Sequence, residues 1–239
     1  SSWIEDIIYP EINDYCHYGW TSDFFDYDGI LDSIDETDGY SVALYAHYLT
    51  SVVANESIIK DIWEDYRSLV ARKPVRSIDN ILRQIIYDTS YIETWIDFIS
   101  HNFFNGFYSE NSEFYYNSDQ AITQPITLEP SDHMKFENPI SVSKIISNES
   151  ADLIAIRKVN QKSQLDIDMN TNSENSNLIG NIILLSEDNL DSQKIIDIND
   201  ISEEIYDGIE YIYFVLGLDE SIELANEEIT GDIDFDISF

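Results

Sequence analysis

The chain reads as an α+β protein: an N-terminal α-helical subdomain over residues 1–138, followed by a C-terminal antiparallel β-sandwich over residues 139–239. Three observations predict this. Between Tyr40 and Phe107 apolar residues recur at steps of three and four, the period of amphipathic helices packed on a common core. Beyond Pro139 come short Ile-rich runs broken by Asn, Ser and Asp, several with the strict alternation of a half-buried strand. Between the two lies an irregular segment, 108–138, whose Pro125 and Pro130 favour extended crossings over regular elements.

The first stretch, WIEDIIYPEINDY, predicts a short helix that Pro10 bends or interrupts. An acidic, aromatic loop follows over residues 21–39. In the helical block the period runs through Val42, Tyr45, Leu49 and Val52, then Ile58, Ile62, Trp63, Tyr66 and Leu69. It continues through Ile78, Ile81, Leu82 and Ile85, then Ile92, Trp95, Ile96, Ile99 and Phe103. Asn55 and Ser57 are candidate caps for the Ile58 helix, and Pro74 separates that helix from the next, which Ser77 precedes. Ser90 and Glu93 have capping-box spacing before the fourth helix, and Asn105-Gly106 offers it a left-handed stop. Strands are predicted over 140–146, 152–159, 163–169, 177–185, 193–198, 208–217 and 232–239. Residues 201–206 are open to a short helical turn instead. Seven or so short strands with polar turns between them argue for the sandwich.

Composition narrows function. Twelve basic residues face 47 acidic ones, a formal net charge of −35. That field excludes a nucleic-acid-binding face as the main business and leaves three explanations. Salt adaptation of the whole surface, as in a halophilic organism, is one; mimicry of DNA to inhibit a nucleic-acid enzyme is another; an acidic surface for a basic partner or a cation is the third. Scarcity of Lys along the whole chain favours the first. With 43% hydrophobic residues and 16 tyrosines the chain folds despite its charge. No run approaches the roughly 18 apolar residues of a membrane span. The opening SSWIED, with neither initiator Met nor signal peptide, is read as the start of a segment trimmed or cut from a longer polypeptide. Cys16, the lone cysteine, has no internal disulfide partner.

Candidate chemistry is sparse. His17, His47, His101 and His133 form no HExxH or HxH pair, which leaves no zinc site within this chain. His47 and His101 lie in amphipathic helices as packing or surface residues. Adjacent Cys16 and His17 point apart, against a nucleophile–base contact. Asp26, Asp28, Asp32, Asp35 and Asp38 cluster in one loop and are weak calcium candidates, because Ca²⁺ takes flexible oxygen ligands; a solvated loop is the alternative. Asp166, Asp168, Asn170 and Asn172 match the opening ligands of an EF-hand loop, but Thr171 replaces its Gly and Asn177 its Glu. A strand entering a polar turn explains them better. Lys60, Arg67, Arg72, Lys73, Arg76 and Arg83 hold half of the basic charge, and ion pairing with neighbouring carboxylates is their expected role. Asn55-Glu56-Ser57 and Asn148-Glu149-Ser150 are N-glycosylation sequons.

The order of helical segments resembles the downstream half of secreted, HExxH-type zinc metallopeptidases of the gluzincin sort. Trp3, Glu5 and Asp6 match one motif of that group; Tyr40, Ala43, Leu44 and Leu49 match a second. Ile58, Ile59, Ile62, Trp63 and Glu64 match a third, and Trp95, Phe98, Asn102 and Phe103 a fourth. The likeness covers about residues 3–107 and rests on scaffold positions, with the β region supported by position and pattern alone. It implies that the HExxH helix and the glutamate ligand precede Ser1, so no catalytic, cofactor-binding or zinc-binding residue is assigned here. It further implies zinc in the parent protein, the zinc-binding N-terminal half of that protein as partner, and an extracellular or cell-surface location. This chain is then a non-catalytic portion that walls the cleft and carries an accessory domain. Two other readings stand beside it: an acidic adhesion or assembly protein of the cell surface, binding other surface proteins or peptides without catalysis, and a DNA-mimic inhibitor.

Overall fold

The computed structural model describes residues 2–9, 41–69, 73–86, 89–104, 133–135, 140–149, 151–157, 163–171, 178–186, 194–198, 203–205, 209, 211–219 and 230–238. Both helices and strands are present, and the protein is of mixed α and β class. It divides into two compact units, residues 1–126 with 221–227, and residues 127–220 with 228–239.

The first unit holds α1 (Ser2–Ile8), α2 (Ser41–Tyr48), α3 (Ser57–Ser68), α4 (Pro74–Ile85) and α5 (Tyr91–Asn102). A π-helical turn, Leu49–Val53, continues α2 and closes with the Ala54 amide donating to the Leu49 carbonyl at 2.9 Å. Thr50 Oγ1 donates back to the carbonyls of Ala46 and His47. Pro74 does more than separate α3 from α4: it is the first residue of α4, where its missing N–H costs nothing. Ser77 accordingly does not precede the helix. It lies inside α4, fully buried, with Val75, Ile78, Ile81 and Leu82. The capping box of α5 forms as expected, Ser90 Oγ accepting from the Glu93 amide and the Glu93 carboxylate from the Ser90 amide. At α3, Asn55 acts from just outside the helix, its side-chain Oδ1 accepting from the Ser57 amide at 2.9 Å.

Tyr45, Tyr48, Leu49, Ile58, Leu82, Tyr91, Trp95 and Phe98 are all buried and form much of the core. Tyr45 makes edge contacts with Tyr91, Trp95 and Phe98, the Trp95 ring centroid lying 4.9 Å away. Trp63 is an exception to the periodic reading: it is 60% exposed and pairs edge-on with Tyr66.

The second unit holds nine described strands: β1 (His133–Lys135), β2 (Ile140–Ser147), β3 (Asp152–Arg157), β4 (Ser163–Thr171), β5 (Leu178–Leu185), β6 (Lys194–Asp197), β7 (Glu203–Ile205), β8 (Tyr211–Leu218) and β9 (Thr230–Ser238). The seven runs read as strands from sequence all form strands. The helical turn held open for residues 201–206 is replaced by β7, which pairs antiparallel with β4. Segment 108–138 contains a strand, β1, and its parallel pairing with β3 departs from a wholly antiparallel arrangement.

A five-stranded sheet has the order β1-β3-β8-β5-β6 and a four-stranded antiparallel sheet the order β2-β9-β4-β7. In the first, Ile212 to Leu216 of β8 are buried without a break, so both faces of this central strand are covered. Gly180 of β5 permits the close approach there: a Cβ would stand 2.6 Å from the Val215 carbonyl oxygen and 2.7 Å from Leu216 Cδ2. In the second sheet, register sets Ile167 opposite Ile237, Met169 opposite Phe235 and Asp168 opposite Asp236. The Asp/apolar alternation of β4 and β9 is therefore in phase across the sheet. The positions likened to an EF-hand, Asp166 to Asn170, are strand residues.

Candidate functional site

A group of titratable side chains lies along the α2–α5 contact. Tyr45 and Tyr48, three apart on α2, meet Thr94 and Asp97, three apart on α5. Equal offsets in the same sense mean that the two helices run in the same direction. Thr94 gives its hydroxyl hydrogen to the Tyr91 carbonyl, so in the 2.6 Å contact with Tyr45 the phenol donates. Tyr48 donates to the Asp97 carboxylate. One turn on, His101 Nδ1 lies 2.8 Å from the Asp97 carbonyl oxygen and 3.5 Å from its carboxylate. A carbonyl only accepts, so Nδ1 carries the proton and Nε2 is the basic nitrogen of the neutral ring.

This arrangement clamps two helices; nothing in it assembles a nucleophile and its base. Tyr45 and Tyr48 are buried, and their hydroxyls are committed to the facing helix. Burial pushes the Tyr45 phenol above its usual value, with the negative charge of Asp79 adding to the rise, so it stays protonated. His47, predicted as a packing or surface residue, is buried at 6% exposure; His101 is half-buried. Among the described residues no three His, Cys, Asp or Glu side chains gather as metal ligands do. Sequence reasoning passed over Asp97 and Tyr48, because their contact joins residues far apart in the chain.

A second node, also unforeseen, links α4 to α5. Asp79, 2% exposed, accepts from Arg83 Nε at 3.0 and 3.1 Å and from the Tyr91 amide at 2.9 Å. The N-terminus of α5 is thus served by Ser90, Glu93 and Asp79 together, two of them carboxylates placed where the helix dipole favours negative charge. The ion pairing expected of the basic residues holds for Arg83 and for Lys60, whose ammonium lies 3.5 Å from Glu64. The Nε and Nη1 atoms of Arg76 are buried without a hydrogen-bond partner among the described residues.

The calcium candidates Asp26, Asp28, Asp32, Asp35 and Asp38 lie outside the described residues, as do Cys16, His17, Arg72 and the Asn105-Gly106 stop. The two sequons fare differently. Asn55 is exposed, whereas Asn148 is 2% exposed at the end of β2. No helix among the described residues is long and apolar enough to cross a membrane.

No protein-family model and no curated protein matches the sequence. Two solved structures are similar to part of it. One is a Yersinia pseudotuberculosis-derived mitogen, 14% identical, with 43% of this chain and 86% of that chain covered at a TM-score of 0.33. The other is Salmonella Typhimurium PliG, a periplasmic lysozyme inhibitor of g-type lysozyme, 9% identical, covering 45% and 98% at 0.28. At these values neither likeness carries an argument about fold or function.

Proposed function

We propose that this chain is the non-catalytic C-terminal portion of a secreted or cell-surface zinc-metallopeptidase-like protein. Its helical unit walls the cleft, and its β unit is an accessory β-sandwich. The observation that supports this reading is where the shared motif residues fall. Leu49, Ile58, Trp95, Phe98, Asn102 and Phe103 are buried in the helical unit, while Trp63 and Glu64 of the third motif are exposed. The buried ones are scaffold, as a supporting lobe requires. The interior hydroxyls and carboxylates around them are spent on holding helices together rather than on an open site. Zinc ligands would come from the preceding half of the parent protein. For the sandwich, the support is the contact between β2 and β8, one strand from each sheet, and the coverage of both faces of β8.

Salt adaptation accounts for the charge. Screening at high salt weakens the self-repulsion of a chain with a formal net charge of −35. The test is the parent reading frame, expressed whole and assayed for bound zinc and peptide hydrolysis beside the present chain. An HExxH followed some twenty or more residues later by Glu, zinc in the whole protein, and an inert isolated chain are expected. Absence of that motif, or peptidase activity in the isolated chain, would overturn the proposal.

A further inference from the structure

We infer that Asn55 is an N-glycan attachment site and that Asn148, in the second sequon, is not. The inference rests on the reading that the chain is secreted, and it concerns which side chain a glycan reaches on that route. Both sites satisfy the Asn-x-Ser pattern, so the sequence ranks them equally. The structure separates them.

Asn55, Glu56 and Ser57 are all exposed, at the junction between the π-helical turn and α3. Asn55 Oδ1 accepts from the Ser57 amide at 2.9 Å, and the Asn55 carbonyl accepts from the Ile58 amide at 3.0 Å. The side-chain amide is thereby held in an Asx turn through its oxygen, and among the described residues no hydrogen bond from its nitrogen is formed. Attachment uses the nitrogen. Nδ2 forms a bond to the anomeric carbon of a lipid-pyrophosphate-linked oligosaccharide, the bond from that carbon to the pyrophosphate oxygen breaks, and the lipid pyrophosphate leaves with the electron pair. The displaced Nδ2 proton passes to the transferase's base. Oδ1 and one N–H remain, so the bond to Ser57 that supports the start of α3 survives modification.

Asn148 offers the opposite geometry. Its residue is 2% exposed, its neighbour Glu149 is 5% exposed, and the Glu149 amide donates to Ser147 Oγ at 2.9 Å in a closed turn after β2. A bulky polar glycan on this nitrogen has no path to solvent without opening the turn.

The experiment is secretion of the chain from a eukaryotic host behind a heterologous signal peptide, with peptide mapping of the soluble, folded fraction. Enzymatic release of the glycan leaves Asp in place of the modified Asn, which marks the site by mass. The expected result is a glycan on Asn55, none on Asn148, complete loss in Asn55→Gln and in Ser57→Ala, and no change in Asn148→Gln. Thermal unfolding of the variants guards against loss by misfolding, and a folded Asn55→Gln is expected because Gln leaves the surface polar. An unmodified Asn55 in folded protein, or a glycan on Asn148 there, would overturn the inference. Neither result touches the metallopeptidase reading, which depends on the parent reading frame. Conversely, absence of HExxH would leave the glycan result standing.

Discussion

Replacing Asp79 tests whether the node between α4 and α5 holds the helical unit together. Asp79→Ala removes the acceptor of two kinds of donor. The Tyr91 amide, on a residue with no exposed surface, is left unsatisfied at a cost of about 1–3 kcal/mol. Arg83 loses this ion pair too, but its side chain is 34% exposed and reaches water, so its share falls well below the roughly 3–5 kcal/mol of a fully buried broken pair. Together these give a loss of about 3 kcal/mol. Asp79→Asn keeps an acceptor for Tyr91 and gives up the charge, so its loss is about 1–2 kcal/mol. The assay is urea unfolding, read alongside hydrogen exchange of the first-turn amides of α5, since two units need not unfold as one. Protection at Tyr91 should fall most in the Ala variant. Equal losses in the two variants, or a loss below about 0.5 kcal/mol in Asp79→Ala, would refute the account given for this carboxylate.

Two further outcomes follow from particular contacts. Because Tyr45 is held neutral in the folded state while an unfolded phenol ionises near pH 10, the unfolded state binds fewer protons above that pH. Stability then falls by about 1.4 kcal/mol per pH unit above pH 10 on account of this residue alone. Tyr45→Phe should lower stability at neutral pH by about 1 kcal/mol through the lost bond to Thr94 and then flatten the alkaline decline, and parallel pH profiles above pH 10 would argue against it. Gly180→Ala places a methyl 2.6 Å from a backbone oxygen that cannot rotate away, and about 2 kcal/mol should be lost in chemical denaturation; an unchanged midpoint would mean that β5 and β8 yield more easily than their packing implies.

Local chemistry was legible in the sequence and tertiary chemistry was not. Ser90 and Glu93 announce the start of α5 because a capping box is decided within four residues. The alternation through Asp166 and Asp234 announces strands because a period of two is a local pattern. Ser77 was placed ahead of the helix because the apolar run begins after it, but Pro74 had already started α4. β1 and β7, of three residues each, are too short for any period to show, and their pairing partners define them. Trp63 was read as core on spacing alone, which does not say how wide a stripe the neighbours can cover. The pairs Tyr48 with Asp97 and Asp79 with Tyr91 are set by how helices pack, so no motif marks them.

The placement of β9 carries a consequence for how the β unit comes into being. β2 and β4 do not bond to each other; each bonds to one side of β9, which follows both in sequence. Until residues 230–238 arrive, β2 lacks its ladder partner among the described strands and β4 keeps only short β7 there, leaving open edges able to recruit strands from other chains. Pairing at such sequence separation also raises contact order and slows folding. A chain stopped short of Thr230 should therefore tend toward aggregation more than toward a smaller folded sheet, and the aspartates at alternate positions of β4 are well placed to discourage that while the chain waits for its last strand.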